Sequence, residues 1–178
     1  MIQFDVQQDL GRAKNALQDY LIRKLLIPKV YLDANWNGIP VHVLAIDRAG
    51  VGDVHAVLIN DRSQDDRLED ANKIIIGTSG MELGSVEEFR LFPSHYRYIA
   101  IINDKPNIKE YELSLGILQK SLADDGVGRI GILYVDLSKE VPAVQVLLKP
   151  ERFRSSKEII ELADRFVAEN TPNWEVRE

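Results

Sequence analysis

Two runs of β-forming residues, Val30 to Trp36 and Ile39 to Asp47, are separated only by Asn37-Gly38. Nothing else in the chain restricts its fold as tightly. Both residues of that dipeptide tolerate positive φ, which a two-residue turn matched to strand twist requires. The spacing therefore predicts an antiparallel hairpin. Gly50-Val51-Gly52 supplies a second turn and Asp53 to Asn60 a third strand, so the three make an antiparallel meander.

The flanking pattern completes an α/β chain. Asp5 to Ile27 reads as an amphipathic helix, with Asp5 as cap and Gln8 where a capping box needs its reciprocal partner. Val6, Leu10, Ala13, Leu17, Leu21 and Leu25 give it one apolar stripe, and Pro28 stops it. Tyr96 to Ile102 and Ile130 to Asp136 are strands with continuous apolar stretches, as expected when both faces are covered. Between them Ile108, Tyr111, Leu115, Leu118 and Leu122 step at helical spacing, so the pair is expected to be a parallel crossover. Ala143 to Lys149 forms a sixth strand. Ser155 and Glu158 cap a last helix over Ser156 to Glu169, and Trp174 is the residue of the tail suited to docking. Residues 61–95 stay open between a polar helix over Arg62 to Ile75 and a strand at Lys73 to Ile76. They read as an insertion in a single domain spanning residues 1–178.

Composition narrows the function classes. The chain has no cysteine, which excludes disulfides and thiolate metal sites and fits a reducing compartment. A formal charge of −6 disfavours broad attraction to nucleic acid or anionic membranes, although a metal-dependent active site would itself be acidic. The first residues lack the basic-then-apolar order of a leader peptide, and the longest apolar runs, as at Ile99 to Ile102, fall far short of a membrane span. A cytoplasmic protein without membrane contact is the expectation.

The order helix, three-strand meander, helix, strand, helix, strand resembles the core of the PD-(D/E)xK, or restriction-endonuclease-like, nuclease superfamily. Val41-His42-Val43-Leu44-Ala45 and His55-Ala56-Val57-Leu58-Ile59-Asn60 look like the strands that carry that superfamily's Asp and its Glu-x-Lys. Gly128-Arg129-Ile130-Gly131-Ile132-Leu133-Tyr134-Val135-Asp136 resembles the strand after the second crossover. The resemblance implies a restriction-endonuclease-like α/β fold: a mixed sheet with an antiparallel meander, a parallel crossover and helices on both faces. It also implies magnesium held by the carboxylates and water activated by the lysine. Carried over position by position, the Asp falls on His42, the Glu on Leu58 and the Lys on Asn60, and an assisting helical carboxylate falls near Gln18 or Asp19. Leucine cannot bind a metal and asparagine cannot replace an ammonium. Shifting by one residue to Val57 and Ile59 does not restore the site.

Three readings remain. The leading one is a nuclease-like domain that has lost catalysis, needs no cofactor and acts in binding or assembly, with a protein partner or a second copy as a homodimer. A rival keeps a magnesium-dependent nuclease with relocated ligands, most plausibly Asp33, Asp47 and Asp53, with Asp61 nearby; aspartates at strand ends otherwise serve as turn formers. The third is an unrelated α+β interaction module working through residues 61–95. For nucleic acid or another anion, Arg90, His95 and Arg97 interleave with Tyr96 and Tyr98, and Lys149, Arg152, Arg154 and Lys157 gather at the last helix. Alternation in a strand gives the plainer expectation that Tyr96 and Tyr98 share one face while Arg97 snorkels from the other. A tight turn at Gly50-Val51 places His42 and His55 four residues apart along the ladder, on the order of 13 Å, too far to share an ion.

Overall fold

The computed structural model describes residues 6–47, 52–61, 77–78, 81–82, 92–102, 108–109, 129–153 and 157–175. In chain order the elements are α1 (Val6–Arg23), β1 (Lys29–Trp36), β2 (Ile39–Ile46), β3 (Val54–Asp61), β4 (Gly77–Thr78), β5 (Met81–Glu82), β6 (Tyr96–Ile102), β7 (Gly131–Asp136), β8 (Ala143–Leu148), α2 (Lys157–Glu169) and β9 (Trp174–Glu175). Seven strands form one sheet in the order β8-β7-β6-β3-β2-β1-β9, and β4 pairs separately with β5. The pairs β1–β2 and β2–β3 are antiparallel, β3–β6 and β6–β7 parallel, and β7–β8 antiparallel. This is the mixed α/β sheet expected from the sequence, with both the meander and the parallel crossover.

Each helix covers one face. Ala13, Leu17 and Leu21 of α1 pack on Val43, Ala45, Val57, Ile59, Ala100 and Ile102. Ile159, Ala163 and Phe166 of α2 pack on Leu44, Ile46, Ala56, Leu58, Ile99 and Ile101. Burying residues of this size contributes about 1.5–3 kcal/mol each for the larger ones. Phe166 also meets Tyr31 and Trp36 edge-on, at 4.9 and 5.4 Å between ring centroids. Among the described residues, no helix is long and apolar enough to cross a membrane.

Local chemistry sets the turns. Asn37 (φ 51°) and Gly38 (φ 80°) occupy the left-handed region, and Trp36 pairs with Ile39 across them. The first helix ends at Arg23, short of the expected Ile27. Leu26 takes φ 56° and the Ile27 amide reaches back to the Leu21 carbonyl at 3.1 Å, so a left-handed cap ends the helix before Pro28 can. Between β2 and β3, Ala45 faces His55, one residue away from the Ile46 pairing that a turn at Gly50-Val51 predicts. The Asp47 amide donates to the Asp53 carbonyl, and Gly52 adopts φ 67°, so Gly52 belongs to the turn. The tail is tied down rather than frayed: Trp174 pairs with Val30, and the Asn173 side chain accepts from the Leu32 amide.

The helix expected over Ile108 to Leu122 is described only at residues 108–109, which are helical. The expectations for Arg62 to Ile75, for the strand at Lys73 to Ile76 and for Arg90 lie outside the described residues.

Candidate functional site

Asp33 stands at φ 50°, between the pairs Leu32–Val43 and Ala34–Val41, and so lies opposite His42. The alternation of faces slips there on both strands. Leu32 and Val43 face α1, while Ala34 and Val41, two residues further along their strands, face α2. A left-handed residue inside a strand produces this kind of local rotation. Ladder pairing between β2 and β3 runs from Val43–Val57 to Ile46–Val54 and is not continued at His42. Instead the Ile59 amide donates to His42 Nδ1 at 2.9 Å, so a side chain does the work of the missing backbone acceptor.

That bond fixes the chemistry of His42. With the Nδ1 lone pair occupied, the neutral ring carries its proton on Nε2. Nε2 is buried and, among the described residues, has no hydrogen-bond partner. Burial, reinforced by Lys14 and opposed by Asp33, pushes the His42 pKa down to about 4, so the ring is neutral near pH 7. Lys14 of α1 bonds Asp33 at 2.6 Å, with the lysine side chain 16% and the aspartate 58% exposed. At neutral pH His42 is therefore a proton donor, neither a base nor a metal ligand through Nε2.

The other carried-over positions do not join it. Leu58 is 2% exposed and belongs to the apolar cluster on the α2 face, away from α1. Asn60 is buried at the end of β3. On α1, Asp19 is exposed and pairs with Arg23 at 2.7 Å. Val57 and Ile59, the one-residue alternative, face α1 as core.

The relocated carboxylates do not gather around one ion. Asp33 faces His42, whereas Asp47 follows Ile46, five residues along β2 and roughly 16 Å away at the usual strand rise. Asp53 adjoins Asp47 through their backbone bond and is occupied by Arg152, whose Nη2 and Nε donate at 2.6 and 3.1 Å. The Arg152 bonds hold the Asp53 carboxyl below its usual range. Among the described residues, no group of three or more His, Asp or Glu side chains is placed to hold a metal. The one-residue register change brings His42 and His55 to three residues apart, about 10 Å, still too far for one ion.

Of the described basic candidates for anion binding, His95 and Arg97 are interior, whereas Lys149, Arg152 and Lys157 are exposed. His95 is fully buried and its Nδ1 accepts from the Val54 amide at 2.8 Å. Because that lone pair is taken, its 3.8 Å approach to Asp53 is not an ion pair at neutral pH. Arg97 is 2% exposed, with its guanidinium 4.6 Å above the Phe153 ring; it stacks inside the α2 face rather than snorkelling to solvent. Tyr96 and Tyr98 share the other face with His55, which stacks on Tyr96 at 4.6 Å. Lys157 is exposed and meets Glu161 at 3.5 Å; Arg154 lies outside the described residues. His95 and Arg97 are thus spent inside the end of the sheet, and Arg152 is engaged by Asp53.

The sequence favours a hydrogen-bonded or partly exposed structural histidine at His42 and at His55, but does not name the partner of either ring. A histidine beside a strand carries no signal that separates an internal acceptor from a surface group.

No family model matches this chain, and no curated protein matches it. A solved structure, the SPO1766 protein of unknown function from Silicibacter pomeroyi, is similar over 94% of this chain and 87% of its own, with a TM-score of 0.51 at 11% identity. At that identity the likeness shows a shared fold alone.

Proposed function

We propose that this chain is a restriction-endonuclease-like scaffold that has lost the metal-dependent centre and acts in binding or assembly in the cytoplasm. The observation that carries this reading is the tautomer of His42. At the position where the resemblance asks for a metal-binding carboxylate, the ring spends Nδ1 on the Ile59 amide and presents only a proton donor. Leu58 buried in the α2-face core supports it, since a carboxylate there would stand in hydrocarbon. The strand order β1-β2-β3-β6-β7 supports the scaffold part of the reading.

Calorimetric titration of the full chain with magnesium and then manganese tests it without a guess at a substrate. We expect no saturable binding of either ion at millimolar concentration. Binding that disappears in Asp33→Ala or Asp47→Ala would overturn the reading and restore the metal-dependent nuclease.

A further inference from the structure

The two margins of the sheet are finished differently. Beyond β1 lies β9, only two residues long, with the Asn173 side chain taking the next amide. At the opposite margin β8 is the outermost strand among the described residues, and all six of its residues take part in the strand. Strand edges are normally protected by charged residues, proline or shortness. Ala143-Val144-Gln145-Val146-Leu147-Leu148 has no charge and no proline, and its most exposed positions are the central Gln145 and Val146. Its one irregularity, a bulge at Leu147, leaves residues 143–146 regular.

We propose that β8 is a self-pairing edge: a second copy adds its own β8 antiparallel, with Gln145 on the two-fold axis, joining two sheets into one. This deepens the assembly reading and rests on it. Directly opposed residues in an antiparallel pair both turn their backbone groups toward the partner or both away. In a symmetric pair the opposed residue numbers therefore have an even sum. Pairing Gln145 with itself meets that condition and places Val144 opposite Val146 twice, because the strand reads nearly alike in both directions about Gln145. Cross-strand pairs of β-branched residues stabilise such a ladder, and a self-opposed glutamine can share an amide hydrogen bond. A partner strand of unrelated sequence would need none of this symmetry.

Sedimentation of the full chain, with a cross-linking arm, tests the proposal. The chain has no cysteine, so Gln145→Cys introduces the only thiol. Opposed residues on an axis of this kind are roughly 4.5–5.5 Å apart at Cα, inside the ~4.4–6.8 Å range of a disulfide. We expect a concentration-dependent dimer, loss of that dimer in Val146→Lys with an unchanged circular dichroism spectrum, and faster oxidation of Gln145→Cys to a covalent dimer than of Lys157→Cys on α2. A wild type that stays monomeric throughout, a dimer indifferent to Val146→Lys, or a cross-link no faster than the control would each overturn it. The outcomes separate from those of the metal titration. A dimer that binds magnesium sinks the loss of catalysis and keeps this interface; a monomer that binds none does the reverse.

Discussion

The two ends of β3 are held by the same kind of bond and differ in what surrounds it. At the amino end the Val54 amide donates to Nδ1 of His95, and at the carboxyl end the Ile59 amide donates to Nδ1 of His42. Around His95 more of the polar groups are paired: Asp53 accepts two bonds from Arg152, the His95 amide donates to the Val54 carbonyl, and the Phe153 amide donates to the His95 carbonyl, while Arg97 Nη2 nearby is buried with no hydrogen-bond partner among the described residues. Around His42 the ring keeps a buried Nε2 with no partner among the described residues, beside a left-handed Asp33 and the Lys14 ion pair. The amino end is built as structure. At the carboxyl end the same ring that caps the Ile59 amide also buries an Nε2 for which no partner is found among the described residues.

Acid should break both ends together, and this is the largest effect expected. Each ring accepts an amide only while Nδ1 is unprotonated. Burial holds the pKa of His42 and of His55 down to about 4 and lowers that of His95. The unfolded chain, with histidines near 6.5, therefore binds more protons across the interval between. Stability contributed by these groups is fully present above about pH 6.5 and is lost as pH falls toward about 4. Two shifts of this size correspond to several kcal/mol, on the order of 3 for each buried ring. Urea unfolding at pH 7.5 and at pH 4.5 should show the drop. A midpoint that does not move would mean that neither ring is held neutral.

Replacing each histidine by leucine should then separate the two ends. His95→Leu strands the Val54 amide beside the Asp53–Arg152 pair and should cost about 2–4 kcal/mol. His42→Leu strands the Ile59 amide as well, but it also removes a buried donor that already lacked a partner. The two effects oppose each other, and a loss of about 1 kcal/mol or less is expected. Chemical denaturation of both variants at pH 7.5 measures the difference. Equal losses would show that the surroundings of His42 are as complete as those of His95.

The sequence made the layers of this fold legible because they depend on periodicity. The Asn37-Gly38 turn, the α1 stripe at Ala13, Leu17 and Leu21, the β6–β7 crossover and the α2 face at Ile159, Ala163 and Phe166 all follow from spacing. The helix end at Leu26 was missed because leucine seldom takes the left-handed conformation and carries no capping signal. The Asp33–His42 irregularity was missed for a related reason. A strand pattern fixes which face a residue takes only while alternation holds, and one left-handed aspartate reverses it for the rest of the hairpin. Arg97 looked like a snorkelling surface cation because its acceptor of choice, the Phe153 ring, lies 56 residues away in sequence. Single-residue chemistry at positions 42, 58 and 60 could be read, but not the fact that Leu58 faces the opposite helix.

The smallest effect tests whether the strain at Asp33 belongs to the carboxyl end or merely to a charge placed there. Asparagine tolerates the left-handed region about as well as aspartate, so Asp33→Asn keeps the backbone and removes the carboxylate. The lost ion pair with Lys14 is half exposed on the aspartate side, and such pairs contribute about 0–1 kcal/mol. Removing the carboxylate also removes the charge that raises the His42 pKa, which leaves burial and Lys14 to lower it further. A stability change within about 0.5 kcal/mol is expected at pH 7.5, with the His42 titration, followed by NMR of its ring protons, displaced to lower pH. Asp33→Val provides the contrast: a β-branched residue cannot take φ near 50° without strain, and should cost on the order of 1–2 kcal/mol more than asparagine. If both variants behave alike, the backbone at this position has relaxed into ordinary strand geometry, and the slip of faces at His42 would have to come from the histidine bond alone.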